Sequence, residues 1–449
     1  MAITRRRPDS AERPGPEPRD RGARMTLAKR SDLVLAAARV LFVNGQTTDQ
    51  TLAGAERIAH ALRLRTTMVA RWGELQLQPE DGDIRLASVV AADPSGVNMT
   101  RAASMARTIE DLEAGRLAAG GAMNKIDSIS RIPPLPTWLF ALAAATGAVS
   151  LAMIFGLRHA NAAALIFVSA GAGGIVRRQL AKVSSNVYLQ PFAAALLAGV
   201  IGGLAIGWGL SSPLRLVAIC PCLVLVPGPH LLNGGLDLFQ DRIHLGAARM
   251  VHAGLVLLAI TSGLLLGLAL VGQSLAVDPP GTSVPLWRDM VFAGVVAACY
   301  GIYFSMPLRM LGWPVGVGVL AHALRWVALT VFESSPAIAV LAASIFAGLV
   351  ITPVARRRHL PFAAIGFASV VSMLPGSYIT RMAAGLVQIA DGSHATLALI
   401  SATIADGTTA ILIVLAMGVG LIGPKLLIDR FGEKPRWAGA KPAKPSLYG

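Results

Sequence analysis

Residues 217–249 read VAICPCLVLVPGPHLLNGGLDLFQDRIHLGAAR: an apolar run, a break at Pro227-Gly228-Pro229, and a polar continuation. Proline lacks a backbone donor and its ring collides with the preceding turn, so a helix does not pass this point intact. In hydrocarbon the released backbone groups must find partners, and such a break survives only inside protein or beside a wet cavity. Taken alone, PGP could equally cap a span that ends here. A second copy weighs against that. About 148 residues on, AAIGFASVVSMLPGSYITRMAAGLVQIADG is again an apolar run, broken at Pro375-Gly376. Trp138 and Trp287 open the first and sixth apolar runs at nearly the same offset. Identities between the halves are few, so the repeat is mainly one of hydropathy. Interrupted segments at corresponding positions of two halves point to a transporter's binding site. On this pattern Pro227 and Pro375 are expected to line one central cavity.

The rest of the chain fits a membrane solvent. Of 449 residues, 54% are hydrophobic and 14% charged, with mean hydropathy +0.59. Between Thr137 and Lys425 there are only seven acidic residues, Asp237, Asp241, Asp278, Asp289, Glu333, Asp391 and Asp406. Such segregation marks a polytopic membrane protein. The net charge of +15 does not argue for nucleic acid: nine of the forty Lys and Arg lie in the first 30 residues, and most others sit between apolar runs. Cytoplasmic loops carry that surplus anyway. Cys220, Cys222 and Cys299 fall in apolar runs, which indicates neither a disulfide framework nor a metal site.

Five regions follow. Residues 1–30, rich in Pro, Arg and acids, read as a disordered basic tail, and no apolar core follows the arginines as in a signal peptide. Residues 31–133 read as a small cytoplasmic α+β domain. It has helices over Leu33–Val43 and from Thr48 or Asp49 to Leu62, then strand-like segments Thr67–Trp72, Glu74–Gln78 and Ile84–Val90, then a charged helix over Met99–Ala119. Residues 134–280 and 281–427 each hold five apolar segments, and 428–449 form a tail. The predicted fold is thus mainly α, with about ten transmembrane helices as a 5+5 inverted repeat behind the small domain. The fourth and ninth segments carry the breaks.

Charge orients the spans. With the N-terminus cytoplasmic, inside segments hold Lys125, Arg131, Arg177, Arg178, Lys182, Arg242, Arg249, Arg309, Arg356, Arg357, Arg358 and Lys425. Outside segments hold Arg158, Arg215, Arg288 and Arg381. A ten-span, multi-pass protein of the cell membrane with both termini inside is the expectation. Five spans per half force opposite orientations, the inverted design of many secondary transporters.

The segment PGPHLLNGGLDLFQDRIHLGAAR resembles the signature of the threonine/serine exporter family, and the order of soluble domain, five spans and a second five-span half resembles that family's layout. The matching residues are Pro227, Gly228, Asn233, Asp237, Asp241, Gly246 and Arg249, with Pro375 and Gly376 in the second half. Pro229, His230 and Arg242 depart from the pattern. The resemblance implies proton-motive-force-driven export of threonine and serine, that is, an efflux antiporter.

Within that frame, a zwitterion needs donors for its carboxylate and oxygens for its ammonium. Helix restarts after Pro227-Gly228 and Pro375-Gly376 offer N-terminal donors. Asn233 and Asp237 lie four apart and share a helix face that Asp241 extends, so the substrate site is expected at Pro227, Gly228, Asn233, Asp237, Pro375 and Gly376. The competing reading is an interfacial helix with its stripe in water. Asp241, Gly246 and Arg249 are assigned to structure and ion pairing. Asp406 is the one carboxylate well inside a span and becomes the proton-coupling candidate, because a buried carboxylate in lipid is costly and faces a cavity or partner. His252 and His322 are left outside the site, since a lone membrane histidine more often bonds another helix.

No GxSxG, HExxH or P-loop pattern occurs, so neither an enzyme nor an ATP-driven pump is indicated, and no cofactor is implied. The expected partners are a small amino acid, protons and the bilayer, not nucleic acid; association into a homo-oligomer stays open. A membrane scaffold or sensor built on the basic soluble domain is the alternative, though it would need neither broken spans nor Asp406.

Overall fold

The computed structural model describes residues 26–79, 87–210, 215–273, 284–390 and 396–432. The expected tails for the most part, the Glu80-Asp81-Gly82 turn, Asp278 and Asp391 lie outside those residues. The N-terminal unit comprises α1 (Leu27–Val43), α2 (Thr48–Ala61), β1 (Thr66–Arg71), β2 (Gly73–Pro79), β3 (Ser88–Ala92), α3 (Met99–Glu113) and α4 (Ala119–Ser130). Its sheet is an antiparallel meander in the order β1-β2-β3, with Arg71 opposite Glu74 across the Trp72-Gly73 turn. Gly73 sits at φ +87°, which a side chain would resist. Thr26, Thr47 and Asn98 cap α1, α2 and α3 through their side-chain oxygens. The helix expected over Met99–Ala119 ends earlier, at Glu113, with Gly115 at φ +70° just beyond it, and a separate helix, α4, begins at Ala119. Leu33, Val34, Leu41, Phe42, Ile58, Leu75, Leu77, Met105 and Ile109 fill the core between helices and sheet, and Leu245 of the membrane unit joins them.

The membrane unit contains α5 (Thr137–Ile154), α6 (Ala160–Val183), α7 (Leu189–Gly207), α8 (Leu216–Leu223), α9 (Gly228–Phe239), α10 (Ile243–Leu270), α11 (Leu286–Tyr303), α12 (Gly312–Thr330), α13 (Pro336–Arg358), α14 (Phe362–Val370), α15 (Gly376–Ala390) and α16 (Leu397–Gly432). Among the described residues six helices are long and apolar enough to span a membrane, or eight if the bent pairs α8–α9 and α14–α15 each count as one. Helices α11 and α12 occupy the sixth and seventh expected segments but are not among them. The chain is therefore mainly helical, multi-pass, with a small sheet near its N-terminus.

Close backbone contact builds the bundle. A Cβ on Gly199 of α7 would stand 2.4 Å from the Leu264 carbonyl oxygen of α10, and one on Gly267 would stand 2.3 Å from that of Leu196. Helices α13 and α16 meet the same way, through Gly348 and Gly420. Without a hydrophobic drive between helices in lipid, such small-residue seams supply the packing contacts. At the centre α5 lies against α11, with Gly147 facing Cys299.

Hydrogen bonds and ion pairs join the units at several points. The backbone N–H groups of Met99 and Thr100, at the start of α3, donate to the carbonyls of Phe304 and Ser305 just past α11, at 3.0 and 3.1 Å. Orphan donors of one helix thus meet orphan acceptors of another. His359 Nε2 stands 3.1 Å from Glu110 across the same interface.

Gly267→Leu is expected to cost about 1–3 kcal/mol by overpacking the α7–α10 seam. Gly254→Leu, on the same helix but facing open space, is the comparison. Equal melting temperatures of the two variants in detergent would contradict this seam.

Candidate functional site

Both Pro-Gly steps break their helices. Helices α8 and α9 meet at 51°, and the second pair, α14 with its following 3-10 turn and α15, bends by 69°. Each break's glycine is pressed against the other half. A Cβ on Gly228 would lie 1.9 Å from the Phe367 ring of α14, and one on Gly376 would lie 2.1 Å from Leu223 of α8. Tyr300 of α11 donates its hydroxyl to the Leu223 carbonyl at 2.9 Å, adding to the longer turn bond that carbonyl accepts from the Val226 N–H at 3.4 Å. Leu223, Tyr300 and Phe367 are buried and form a packed layer at the crossing.

A cavity lies on each side of that layer, so the two prolines do not share one chamber as expected from the repeat. The first, of about 560 Å³, is lined by Pro227, His230, Arg177, Arg178, Lys182 and Tyr303 among others, and by Ser95–Asn98 of the N-terminal unit. The second, of about 280 Å³, is lined by Pro375, Tyr378, Asp289, Arg325, Ser372 and Phe155 among others. The start of α5 and end of α11 border the first; the end of α5 and start of α11 border the second. The cavities therefore open toward opposite ends of the bundle. Their linings correspond at the repeat offset: Arg177 with Arg325, Pro227 with Pro375, His230 with Tyr378, and Phe155 with Tyr303.

The first cavity is basic. Arg177 lies 5.2 Å from the Tyr303 ring centre and Arg178 lies 4.4 Å from that of Phe140, and no carboxylate lines the cavity among the described residues. The expected N-terminal donors of α9 are engaged locally. Gly228 N–H turns to the Val226 carbonyl at 2.9 Å, His230 N–H turns to that of Pro227 at 3.1 Å, and Pro229 has none. The donors that face this cavity are guanidinium groups rather than a free helix end.

The stripe on α9 faces elsewhere. Asn233 and Asp237 are buried against the N-terminal unit and do not line the cavity. Asn233 Nδ2 donates to the Gly45 carbonyl at 3.3 Å. Asp237 pairs with Arg249 at 3.0 Å and lies 3.5 Å from Arg242. Arg249, fully buried, stacks over Phe42. Gly246 lets α10 approach α9, since a Cβ there would stand 2.7 Å from Leu238. Asp49 of α2 collects Arg242 at 2.6 Å, Gln240 at 2.5 Å and Lys425 of α16 at 3.9 Å. Asp241 is exposed at the α9–α10 turn with φ +58° and makes no ion pair among the described residues. Its place is the turn, not an ion pair.

Asp406 does not stand alone either. It is ion-paired with Arg381 of α15, which also lies over Tyr378. The motive for singling it out was an uncompensated charge, and sequence could not place Arg381 one helix away. Conversely, sequence passed over Asp289 and His322. Their Oδ2 and Nδ1 atoms are 2.9 Å apart, and Ser372 Oγ lies 2.6 Å from His322 Nε2; all three residues are buried. Arg325 completes the group, 3.7 Å from Asp289. The available signal was polarity at two depths of neighbouring apolar helices.

A family model described as "Putative threonine/serine exporter" matches residues 32–271, and another, "Threonine/Serine exporter, ThrE", matches residues 289–427. The chain is 24% identical over 398 residues to a Mycobacterium tuberculosis protein named "Probable threonine/serine exporter", a match covering 82% of this chain and 74% of that one. No solved structure matches.

Removing one partner of a buried pair strands the other, at about 3–5 kcal/mol. Asp237→Asn and Arg249→Met should each lower thermal stability, and the double variant should lose clearly less than the sum. Strict additivity in that cycle would dissolve the pair as an energetic unit.

Proposed function

Because this chain belongs to the threonine/serine exporter family, we propose that it moves threonine, serine or similar small amino acids out of the cytoplasm by opening its two cavities in turn. Membership points to transport rather than catalysis. The carrying observation is the pair of cavities, each ending at a Pro-Gly break and each holding an arginine at the same position of its half. A scaffold has no use for that arrangement.

We read the bundle as ten spans in two inverted halves of residues 134–280 and 281–427, behind a cytoplasmic domain of 31–133 and between tails 1–30 and 428–449. Three features support it: matching cavity linings, the equivalent α7–α10 and α13–α16 seams, and the central α5–α11 contact. The first cavity then faces the cytoplasm. There Arg177, with Arg178 and Lys182 behind it, would draw the substrate carboxylate, since a guanidinium offers it two parallel donors. Rocking about the Leu223–Tyr300–Phe367 layer would close this cavity and enlarge the other. Pro227, Gly228, Pro375 and Gly376 act as the joints. Asn233 and Asp237 act one step removed, holding α9 to the cytoplasmic domain, and the Asp406–Arg381 pair ties α15 to α16.

The proposed driving force is the proton gradient across the cell membrane. Cells preloaded with labelled threonine should release it faster than cells lacking the protein, and an uncoupler should remove the difference. Release that ignores the uncoupler would end the proton-driven reading. Arg177→Gln should raise the KM for efflux about tenfold, one charged hydrogen bond's worth.

Topology has its own check. Single cysteines at Arg357 and Arg309 should react with a membrane-impermeant reagent only from the cytoplasmic side, and one at Ser334 only from outside. Labelling of the Arg357 site from outside would reject the inverted arrangement.

A further inference from the structure

We propose that Asp289, His322 and Ser372 carry the coupling proton, and that Asp289, beside Arg325, accepts either that proton or the substrate's ammonium group but not both. This rests on the proton-driven export reading and names the site at which it works.

Geometry leads there. Asp289 and Arg325 face the second cavity, 3.7 Å apart, a carboxylate and a guanidinium side by side at the mouth of the Pro375 break. A zwitterionic amino acid needs that pair of opposite charges. His322 lies behind them, fully buried, with its Nδ1 2.9 Å from Asp289. An ionised carboxylate can only accept, so the neutral imidazole carries its hydrogen on Nδ1 and its Nε2 accepts from the Ser372 hydroxyl at 2.6 Å. Ser372 belongs to the 3-10 turn that precedes Pro375. A proton entering from the cavity ends on the Asp289–His322 pair. Held on Asp289, it leaves the carboxyl neutral. Held on the imidazole, it makes both ring nitrogens donors, Nδ1 to Asp289 and Nε2 to Ser372 Oγ, whose own hydrogen must turn elsewhere. In both cases the charge Asp289 would offer an ammonium group is spent. The charge state is thereby communicated to the break itself.

Among the described residues, the neighbouring elements bring few other ionisable groups to this site. Helix α11 contributes Asp289; its Arg288 turns to the Leu157 carbonyl and its Tyr300 to that of Leu223. Helix α12 contributes Arg325 besides the histidine. Along α13 no residue from Pro336 to Ala355 is titratable, and α14 has none at all. Tyr378 of α15 lines the cavity. Ionisable groups held at this depth are costly and face one another or a wet cavity, as these do. Mutual exclusion then yields antiport. Substrate arriving from the cytoplasmic cavity binds Asp289 with its ammonium, an incoming proton neutralises that partner, and the amino acid leaves outward.

The test uses the full-length protein in proteoliposomes with labelled serine, measuring exchange and pH-gradient-driven accumulation. His322→Gln should lower accumulation about tenfold more than exchange and flatten its pH profile; Ser372→Ala should act in the same direction, and serves if the histidine variant does not fold. Asp289→Asn should depress both. Glu333→Gln, an exposed carboxylate near the same end, should match wild type. A wild-type ratio and pH profile in both His322→Gln and Ser372→Ala overturn the proposal, as does Asp406→Asn alone producing the split. Should the wild-type protein exchange neither serine nor threonine, the export reading fails by itself. The relay is then judged by the pH-dependent emission of Trp326, which lines the same cavity and is identified by its loss in Trp326→Phe. That titration should vanish in Asp289→Asn and His322→Gln, and its persistence there overturns the relay.

Discussion

A backbone interrupted inside an apolar bundle must find its hydrogen-bond partners in protein, and this requirement shapes the centre of the molecule. The Leu223 carbonyl, where α8 ends, accepts from the Val226 N–H at 3.4 Å and from Tyr300 of the other half at 2.9 Å. Each break is seated where a helix of the opposite half passes closer than a side chain would permit, with Gly228 on Phe367 and Gly376 on Leu223. The halves are thus reciprocally locked at their weakest points. Apolar contacts carry this layer, with the Tyr300–Leu223 hydrogen bond beside them. That combination suits a fulcrum between two cavities.

The N-terminal domain is part of this device. It lines the first cavity with Ser95–Asn98, caps the end of α11 with the start of α3, and reaches the corner of α9 and α10 through Gly45, Asp49 and Phe42. Asp49 gathers groups from the α9–α10 turn and from α16, which belong to different halves. Movement of one half against the other would therefore be felt at this carboxylate. Burying Asp237 and Arg249 is costly in itself; their pairing and the ring of Phe42 offset part of it, while both terminal nitrogens of Arg249 have no hydrogen-bond acceptor among the described residues.

What could be read from sequence was whatever depends on local chemistry. Proline's missing donor placed both breaks and apolar length placed the long helices, whereas the cap of α2 expected at Thr48 or Asp49 falls on Thr47; the offset of about 148 residues pairs residues of the two cavity linings. Family membership was legible too, because the Pro227-to-Arg249 motif is local.

Only the tertiary structure decided which polar groups meet. Helical spacing put Asn233 and Asp237 on one face but could not say whether water, substrate or another domain would cover it; the N-terminal domain covers it. Asp406 looked solitary because its partner Arg381 is 25 residues earlier on another helix. Asp289, His322 and Ser372 looked unrelated because they lie on three elements, the first two 33 residues apart and the last two 50 apart. Pairing across helices depends on crossing and rotation, which arise from packing such as the glycine seams and carry no signature in local spacing.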